Sequence, residues 1–174
     1  MVQSEIAYYN ALPCVFNGFM DVPELTDGVI SLKCTEKVPA NPKEGKVPIY
    51  WFDIRKGGEQ VGGILLRIGY NEEIYYSGHI GYGIDEAHRG NGYAMRACRL
   101  LVPMARHHGM GKLIITNDIA NDASQRVCEK LGARFIHTAD IPRWHHEYEE
   151  GFRHMNIFEW DLDTARQSGF SATS

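Results

Sequence analysis

The seven residues HRGNGYA at 88–94 place an arginine, two glycines and an asparagine where a helix is expected to begin. Helix N-termini usually carry Ser, Thr, Asp or Asn as a cap, so paired glycines indicate an unusual backbone or the close approach of a ligand. Consecutive backbone N–H groups at a helix N-terminus attract an anion, and a diphosphate suits such a loop. The residue types therefore predict a phosphate-binding loop, with Arg89 on the phosphate side.

Other interpretations of this loop fit less well. Gly90 and Gly92 supply the first half of the dinucleotide fingerprint G-x-G-x-x-G, but Met95 stands where the third glycine belongs. The loop also lacks the Gly-Lys-Ser/Thr of a Walker phosphate loop. A tight turn without a ligand would need only one glycine.

A general base is suggested by residues 78–84, which read as a strand. Alternation along it puts His79 on one face with two glycines that leave the space beside its ring open. Histidine titrates near neutral pH, so His79 is predicted to take a proton from a substrate. The alternative is a histidine packed at the rim of the core. The rival carboxylates are Glu72, Glu73, Asp85 and Asp118.

A histidine-rich stretch, WHHEYEEGFRH at 144–154, invites a metal interpretation. His146-Glu147 is not followed by the spacing of HExxH, so no metal site is predicted and an acidic, solvated loop is expected. If this loop borders an acceptor site, Glu147, Glu149 and Glu150 would attract a cationic amine.

Strands and helices must position these groups. Alternating and β-branched runs predict strands at 29–34, 49–55, 60–69, 78–84, 112–116, 133–141 and 153–162. Apolar residues recur at helical spacing in 94–105 and 121–132, and Pro103 is predicted to kink the first helix. The Pro- and Gly-containing residues 35–48 predict a loop, residues 1–28 an ordered extension and 162–174 a frayed tail. This order predicts a single α/β domain with a mixed, mostly antiparallel sheet flanked by helices.

Composition narrows the class of protein. The chain has 174 residues and a formal net charge of −4, which disfavours a nucleic-acid-binding surface. No apolar run approaches the ~20 residues that span a bilayer, and no signal-peptide pattern is visible, so a cytoplasmic protein without a membrane partner is expected. The four cysteines lack zinc-ligand spacing and are expected to be reduced.

Two motifs resemble those of the GNAT superfamily of acyl-CoA-dependent N-acyltransferases. Residues 89–94 resemble its R-G-x-G-x-A motif, and they lie between a strand and an amphipathic helix, as in that family. Residues 121–132 resemble its second motif, N-x-x-S-x-x-x-x-x-K-x-G. The resemblance covers roughly residues 61–135.

The resemblance implies acetyl-CoA as cosubstrate. The residues whose amides would hold its pyrophosphate are Arg89, Gly90, Asn91, Gly92, Tyr93 and Ala94. The strand edge at Ile84 would bind the pantetheine arm, and Asn121 and Ser124 would face the cofactor at the start of their helix, where Asn121 also serves as N-cap. Cys128 occupies the position where the family often has a tyrosine that protonates the departing thiolate; the alternative is a buried core cysteine.

The predicted function is transfer of an acetyl group from acetyl-CoA to a primary amine by direct attack in a ternary complex. The acceptor is either a small amine or a protein amino terminus, and the oligomeric state, including a homodimer, is left open. Two alternatives are an acyl-CoA-binding sensor with little turnover and an α/β interaction domain without a cofactor.

Overall fold

The computed structural model describes residues 2–165 as two antiparallel sheets with helices packed on both. The first sheet has the order β1-β2-β3-β4-β5. Its strands are β1 (Leu25–Thr26), β2 (Ser31–Val38), β3 (Ile49–Lys56), β4 (Glu59–Arg67) and β5 (Ile80–Ile84). The second sheet has the order β6-β8-β7. Its strands are β6 (Lys112–Asp118), β7 (Arg134–Asp140) and β8 (His154–Asp161).

Seven α-helices connect and cover these strands. They are α1 (Val2–Asn10), α2 (Glu72–Ser77), α3 (Tyr93–Leu100), α4 (Val102–His107), α5 (Asp122–Leu131), α6 (His146–Glu149) and α7 (Leu162–Ala165). Short 3₁₀ helices occupy Pro42–Glu44 and Glu86–His88. The predicted mixed fold, mostly antiparallel and flanked by helices, is confirmed. Among the residues described, no helix is long and apolar enough to cross a membrane.

Two groups of apolar residues hold these layers together. The larger includes Tyr50, Phe52 and Ile64 of the first sheet and Ala97 of α3, and it continues through α4 and α5 to β6 and β8 of the second sheet. The smaller joins α1 and α2 to the second sheet. α3 packs on the first sheet, α5 packs on the second, and the two helices contact each other, with residues from the first turn of each lining one cleft.

The kink predicted at Pro103 within one helix at 94–105 is found as an interruption between two helices. α3 ends at Leu100, and α4 begins at Val102 with the proline in its first turn, where the missing N–H leaves no helical bond unmade. The loop predicted at 35–48 begins later than expected, because β2 continues to Val38; the rest contains the 3₁₀ turn and an isolated bridge between Asn41 and Lys46.

Four short helices of the described residues lie outside the predicted pattern. α1 buries only Ile6 and Tyr9, too few for a periodic signal in the N-terminal extension. α2 has six residues and depends on its N-cap, where Asn71 Oδ1 accepts a hydrogen bond from the Ile74 amide at 2.8 Å. α6 interrupts the loop that was expected to be solvated. The frayed tail predicted for 162–174 starts instead as α7, in which Leu162 is buried, and its remainder lies outside the described residues.

Candidate functional site

The two sheets meet at one histidine and then diverge. At 2.8 Å in each case, the His79 amide donates to the Ile114 carbonyl and the Ile114 amide donates to His79 Nδ1. Beyond this contact β5 and β6 belong to separate sheets. The divergence leaves one edge of β5 without a strand partner in the described part of the chain.

The free edge of β5 exposes particular backbone groups. The Asp85 amide donates to the Val61 carbonyl of β4, at 2.9 Å. Backbone groups alternate in direction along a strand, so Gly81 and Gly83 also face β4, while Tyr82 and Ile84 face the open edge. Arg89 Nε already donates to the Ile84 carbonyl, at 3.0 Å, which ties this cation to the end of the strand.

The loop after β5, called the glycine loop below (residues 88–92), depends on the left-handed conformation of Gly90 and Gly92. Gly90 has φ 82° and Gly92 has φ 74°, and a Cβ at either position would project into open space. Asn91 Nδ2 donates to the His88 carbonyl at 2.9 Å and braces the loop. Gly92 is the N-cap of α3 and provides no side-chain acceptor, so the first amides of this helix have no acceptor within the helix. These amides can receive an anion.

The helix α5 forms the opposite wall. Asn121 Oδ1 accepts a hydrogen bond from the Ser124 amide at 3.1 Å, which makes Asn121 the N-cap. The Ser124 hydroxyl lies 2.9 Å from the Tyr82 hydroxyl of β5. Asn121 and Ser124 therefore face the free strand edge and the glycine loop from the other side.

These parts enclose a cleft of about 580 Å³ between β5, the glycine loop and α5. All nine residues predicted to bind the cofactor line it: Ile84, Arg89, Gly90, Asn91, Gly92, Tyr93, Ala94, Asn121 and Ser124. Its lining includes His88, Arg89, Arg126 and Lys130 and contains no carboxylate, although the whole chain has a net charge of −4. The cleft is therefore suited to a polyanionic ligand.

Comparison with known proteins places this geometry in a family. Residues 28–134, more than half of the chain, match the family model described as "Acetyltransferase (GNAT) domain". The chain belongs to the GNAT acetyltransferase family. It is similar to YkkB of Bacillus subtilis (strain 168), an uncharacterized protein, with 32% identity over 107 residues. That segment is 60% of this chain and 59% of YkkB, so less than two thirds of the relative is matched.

Solved structures share the GNAT fold at low sequence identity. RimL, a ribosomal L7/L12 alpha-N-protein acetyltransferase in complex with coenzyme A, is 14% identical with a TM-score of 0.57 over 81% of this chain and 99% of RimL. A GNAT acetyltransferase from Bacillus anthracis is 21% identical with a TM-score of 0.52 over 65% of this chain and 66% of that protein. At these identities the likeness extends to the fold alone.

Within this GNAT fold, His79 lies behind the cleft and does not line it. Its side chain is fully buried; Nδ1 accepts from the Ile114 amide, so Nε2 carries the hydrogen and donates to the Gly69 carbonyl at 2.8 Å. Burial lowers the pKa of His79 to about 4. Both nitrogens are thus engaged by backbone, and neither can accept a proton from a substrate. We therefore assign His79 a structural role in place of the predicted role of general base.

Cys128 also lies behind the wall of the cleft. The side chain is fully buried, its Sγ accepts from Asn117 Nδ2 at 3.6 Å, and burial raises the pKa of the thiol to about 12. The geometry corresponds to the alternative of a core cysteine. The polar cleft-lining side chains that the sequence did not reveal include Tyr82, Arg126 and Lys130. Two sequence patterns could have identified them: strand alternation for Tyr82, and the i, i+4 spacing of Arg126 and Lys130 on α5.

A second polar group surrounds Glu73 on α2. Glu73, His145 and His146 each place one potential metal-ligating atom within 4.8 Å of the others. However, His145 Nδ1 accepts from the Glu147 amide at 3.2 Å, which puts the ring hydrogen on Nε2, 3.2 Å from the Glu73 carbonyl oxygen. Ser77 Oγ donates to Glu73 Oε1 at 2.8 Å. His145 Nε2 also lies 3.0 Å from Ser77 Oγ, so Glu73, Ser77 and His145 form a hydrogen-bonded network.

The expectation that this stretch is solvated is therefore corrected for His145 and Glu147, whereas Trp144 and His146 are exposed. His145 is buried, Glu73 is largely enclosed, and burial raises the pKa of Glu147. His154, the third histidine of the stretch, is apart from this group and pairs with Asp140 at 2.8 Å.

Proposed function

We propose that this protein transfers an acetyl group from acetyl-CoA to a primary amine by direct attack in a ternary complex. The observation that carries the proposal is the cationic cleft, in which uncapped amides of a helix N-terminus meet a free strand edge. Membership of the GNAT family supports the same conclusion. The similar fold of RimL, a protein solved with coenzyme A, also agrees with it.

Each part of acetyl-CoA has a counterpart among the cleft residues. The amides from Gly90 to Ala94 would receive the pyrophosphate, and Arg89, Arg126 and Lys130 supply positive charge nearby. The pantetheine arm carries amide groups, which suit the open-edge backbone of Tyr82 and Ile84 in the manner of an added strand. Asn121 caps α5 and so fixes the wall that faces this arm.

The acetyl transfer itself needs alignment more than a strong catalyst. A thioester is activated toward amines, so holding the neutral amine beside the carbonyl supplies much of the rate. We propose a small amine or a protein amino terminus as acceptor. A panel containing a polyamine, free amino acids and a peptide with a free N-terminus would distinguish these two classes.

The binding test compares two glycines with matched backbones. Gly92 has φ 74° and ψ 15°, and Gly45 has φ 67° and ψ 17°; a Cβ at either meets no atom within 4 Å. Replacing either glycine by alanine costs a similar amount, roughly 1–2 kcal/mol, because both force a side chain into the left-handed region. Only Gly92→Ala places its methyl group in the cleft.

Calorimetric titration with acetyl-CoA is expected to show saturable binding to the wild type and to Gly45→Ala. Affinity for Gly92→Ala should be weaker by about tenfold or more, equivalent to ~1.4 kcal/mol. Dephospho-CoA serves as a control for the adenosine end of the ligand. Equal affinity in the two variants would refute the loop assignment, and binding without turnover on any amine would favour an acyl-CoA sensor.

A further inference from the structure

Two hydroxyl groups bridge the cleft from opposite walls. Tyr82 on β5 and Ser124 on α5 both line it, and their oxygens are 2.9 Å apart. The residues one step farther inward on each element, Ile80 and Cys128, are buried in the core and do not line the cleft. The pair therefore closes the inner end, opposite the glycine loop.

The position of this pair matches the reactive end of the proposed cosubstrate. The glycine loop follows Ile84, so an arm that leaves the loop along the free edge of β5 passes Ile84 first and Tyr82 next. Two residues of a strand cover about 7 Å. A thioester at the end of that arm would consequently approach the hydroxyl pair.

A count of hydrogens shows that the pair has one to donate. Two hydroxyl groups carry two hydrogens, and their mutual hydrogen bond uses only one of them. In the described part of the chain neither oxygen has another hydrogen-bond partner, so the second hydrogen is available to a group in the cleft. Burial raises the pKa of Tyr82, which keeps the phenol protonated at neutral pH.

We propose that Tyr82, held in place by Ser124, protonates the departing CoA thiolate. The inference rests on the proposed acetyl transfer. The amine nitrogen forms a bond to the thioester carbonyl carbon, the carbon–sulfur bond breaks, and its electron pair goes to sulfur. Sulfur takes the phenolic proton of Tyr82. The phenolate regains a proton through the Ser124 hydroxyl and solvent, which balances the proton lost by the amine nitrogen.

The geometry also explains why Cys128 is not needed for this step. Ser124 and Cys128 are one turn apart on α5, but only the serine reaches the cleft, whereas the thiol contacts Asn117 in the core. The phenol comes from the strand on the other side of the cleft. Ser124 acts as a positioning residue, because its hydroxyl anchors the Tyr82 oxygen.

The test uses Tyr82→Phe, which keeps the ring and removes the O–H group. Its Kd for acetyl-CoA and its unfolding temperature should match the wild type, while kcat falls by about a hundredfold, the lower range for loss of a general acid. The ratio of wild-type kcat to variant kcat should rise with pH, since solvent acid must replace the phenol. Tyr8→Phe, which removes the hydroxyl of a half-exposed tyrosine on α1, is the control and should retain the wild-type kcat.

The outcomes separate this inference from the proposed function. If the wild type acetylates an amine and Tyr82→Phe retains its kcat, Tyr82 is not the acid although the proposed function stands. A Kd that weakens in parallel with kcat would give Tyr82 a role in binding and overturn the inference. If the wild type binds acetyl-CoA but acetylates no amine, both fail. A pH-independent ratio of kcat values would also overturn the role of the phenol.

Discussion

The histidine between the two sheets provides a test of how this cleft is built. His79→Asn keeps an oxygen near the position of Nδ1 and can still accept from the Ile114 amide, but it leaves the Gly69 carbonyl without its donor. His79→Gln can reach the Gly69 carbonyl and leaves the Ile114 amide unpaired. An unsatisfied buried backbone group costs about 1–3 kcal/mol, so each variant should be destabilised by that amount at pH 7.

The pH dependence of the unfolding free energy gives a more specific magnitude than the stability of the variants at pH 7. Burial lowers the pKa of His79 to about 4 from its ordinary value of 6.5. Between these two values the unfolded chain binds a proton that the folded chain does not, so stability falls as the pH falls through this window. For pKa values of about 6.5 and 4, the loss attributable to His79 from pH 7 to pH 5 is about 2 kcal/mol.

Urea unfolding of the wild type and both variants at pH 7 and pH 5 measures the loss of unfolding free energy that is attributable to His79. Asn and Gln do not titrate, so each variant should lose about 2 kcal/mol less than the wild type over this interval. His108 and His145, whose pKa values burial also lowers, are present in all three proteins and cancel in the comparison. An equal loss in all three proteins would refute the assignment of His79 as a buried, neutral histidine that joins the two sheets.

Kinetics distinguish a structural histidine from a general base. A base would leave the affinity for acetyl-CoA intact and change the pH dependence of kcat. A structural histidine holds β5 against β6 at the point where the two sheets diverge. Its loss should therefore weaken acetyl-CoA binding and leave the shape of the pH–rate profile unchanged. A pH–rate profile altered in His79→Asn at unchanged affinity would restore the role of base.

Two further substitutions distinguish groups behind the cleft from groups beside the acceptor. Cys128→Ala should lower the free energy of unfolding by about 1–2 kcal/mol, because it empties buried volume. Its kcat should stay within about twofold of the wild-type value. A hundredfold loss of kcat in steady-state assays would instead make the thiol the general acid. Glu147→Gln should raise the KM for a cationic amine about tenfold at unchanged Kd for acetyl-CoA, because its half-buried carboxylate would attract the amine. Glu149→Gln, which changes an exposed carboxylate, is the control and should leave this KM unchanged. Equal KM values in the two variants would place the amine elsewhere.

Local chemistry explains which parts of the cleft were predictable. The requirement for a left-handed backbone at Gly90 and Gly92, the N-cap at Asn121 and the break at Pro103 are properties of a few adjacent residues. Such preferences are visible in a sequence because they involve the backbone of the same segment. Eight of the nine residues expected at the cofactor belong to two short motifs at the starts of neighbouring helices, and the ninth, Ile84, ends β5; all nine line one cleft.

The roles of single buried side chains could not be predicted in this way. His79 faces glycines in the strand pattern, but its ring is held by Gly69 and Ile114, which lie 10 and 35 residues away in the chain. Cys128 and Ser124 share a helix face, yet only the serine lines the cleft, whereas the thiol contacts Asn117 in the core. Which hydroxyl meets Tyr82 depends on the distance between β5 and α5, and the packing of the two sheets sets that distance.

The sequence alone determined the class of ligand that the loop suits, because amides and glycines act through their own backbone. Tertiary structure decided which side chains reach that ligand, since burial and long-range hydrogen bonds remove some from reach and bring others into it. His79 and Cys128 lie behind the cleft, and Tyr82 meets Ser124 within it.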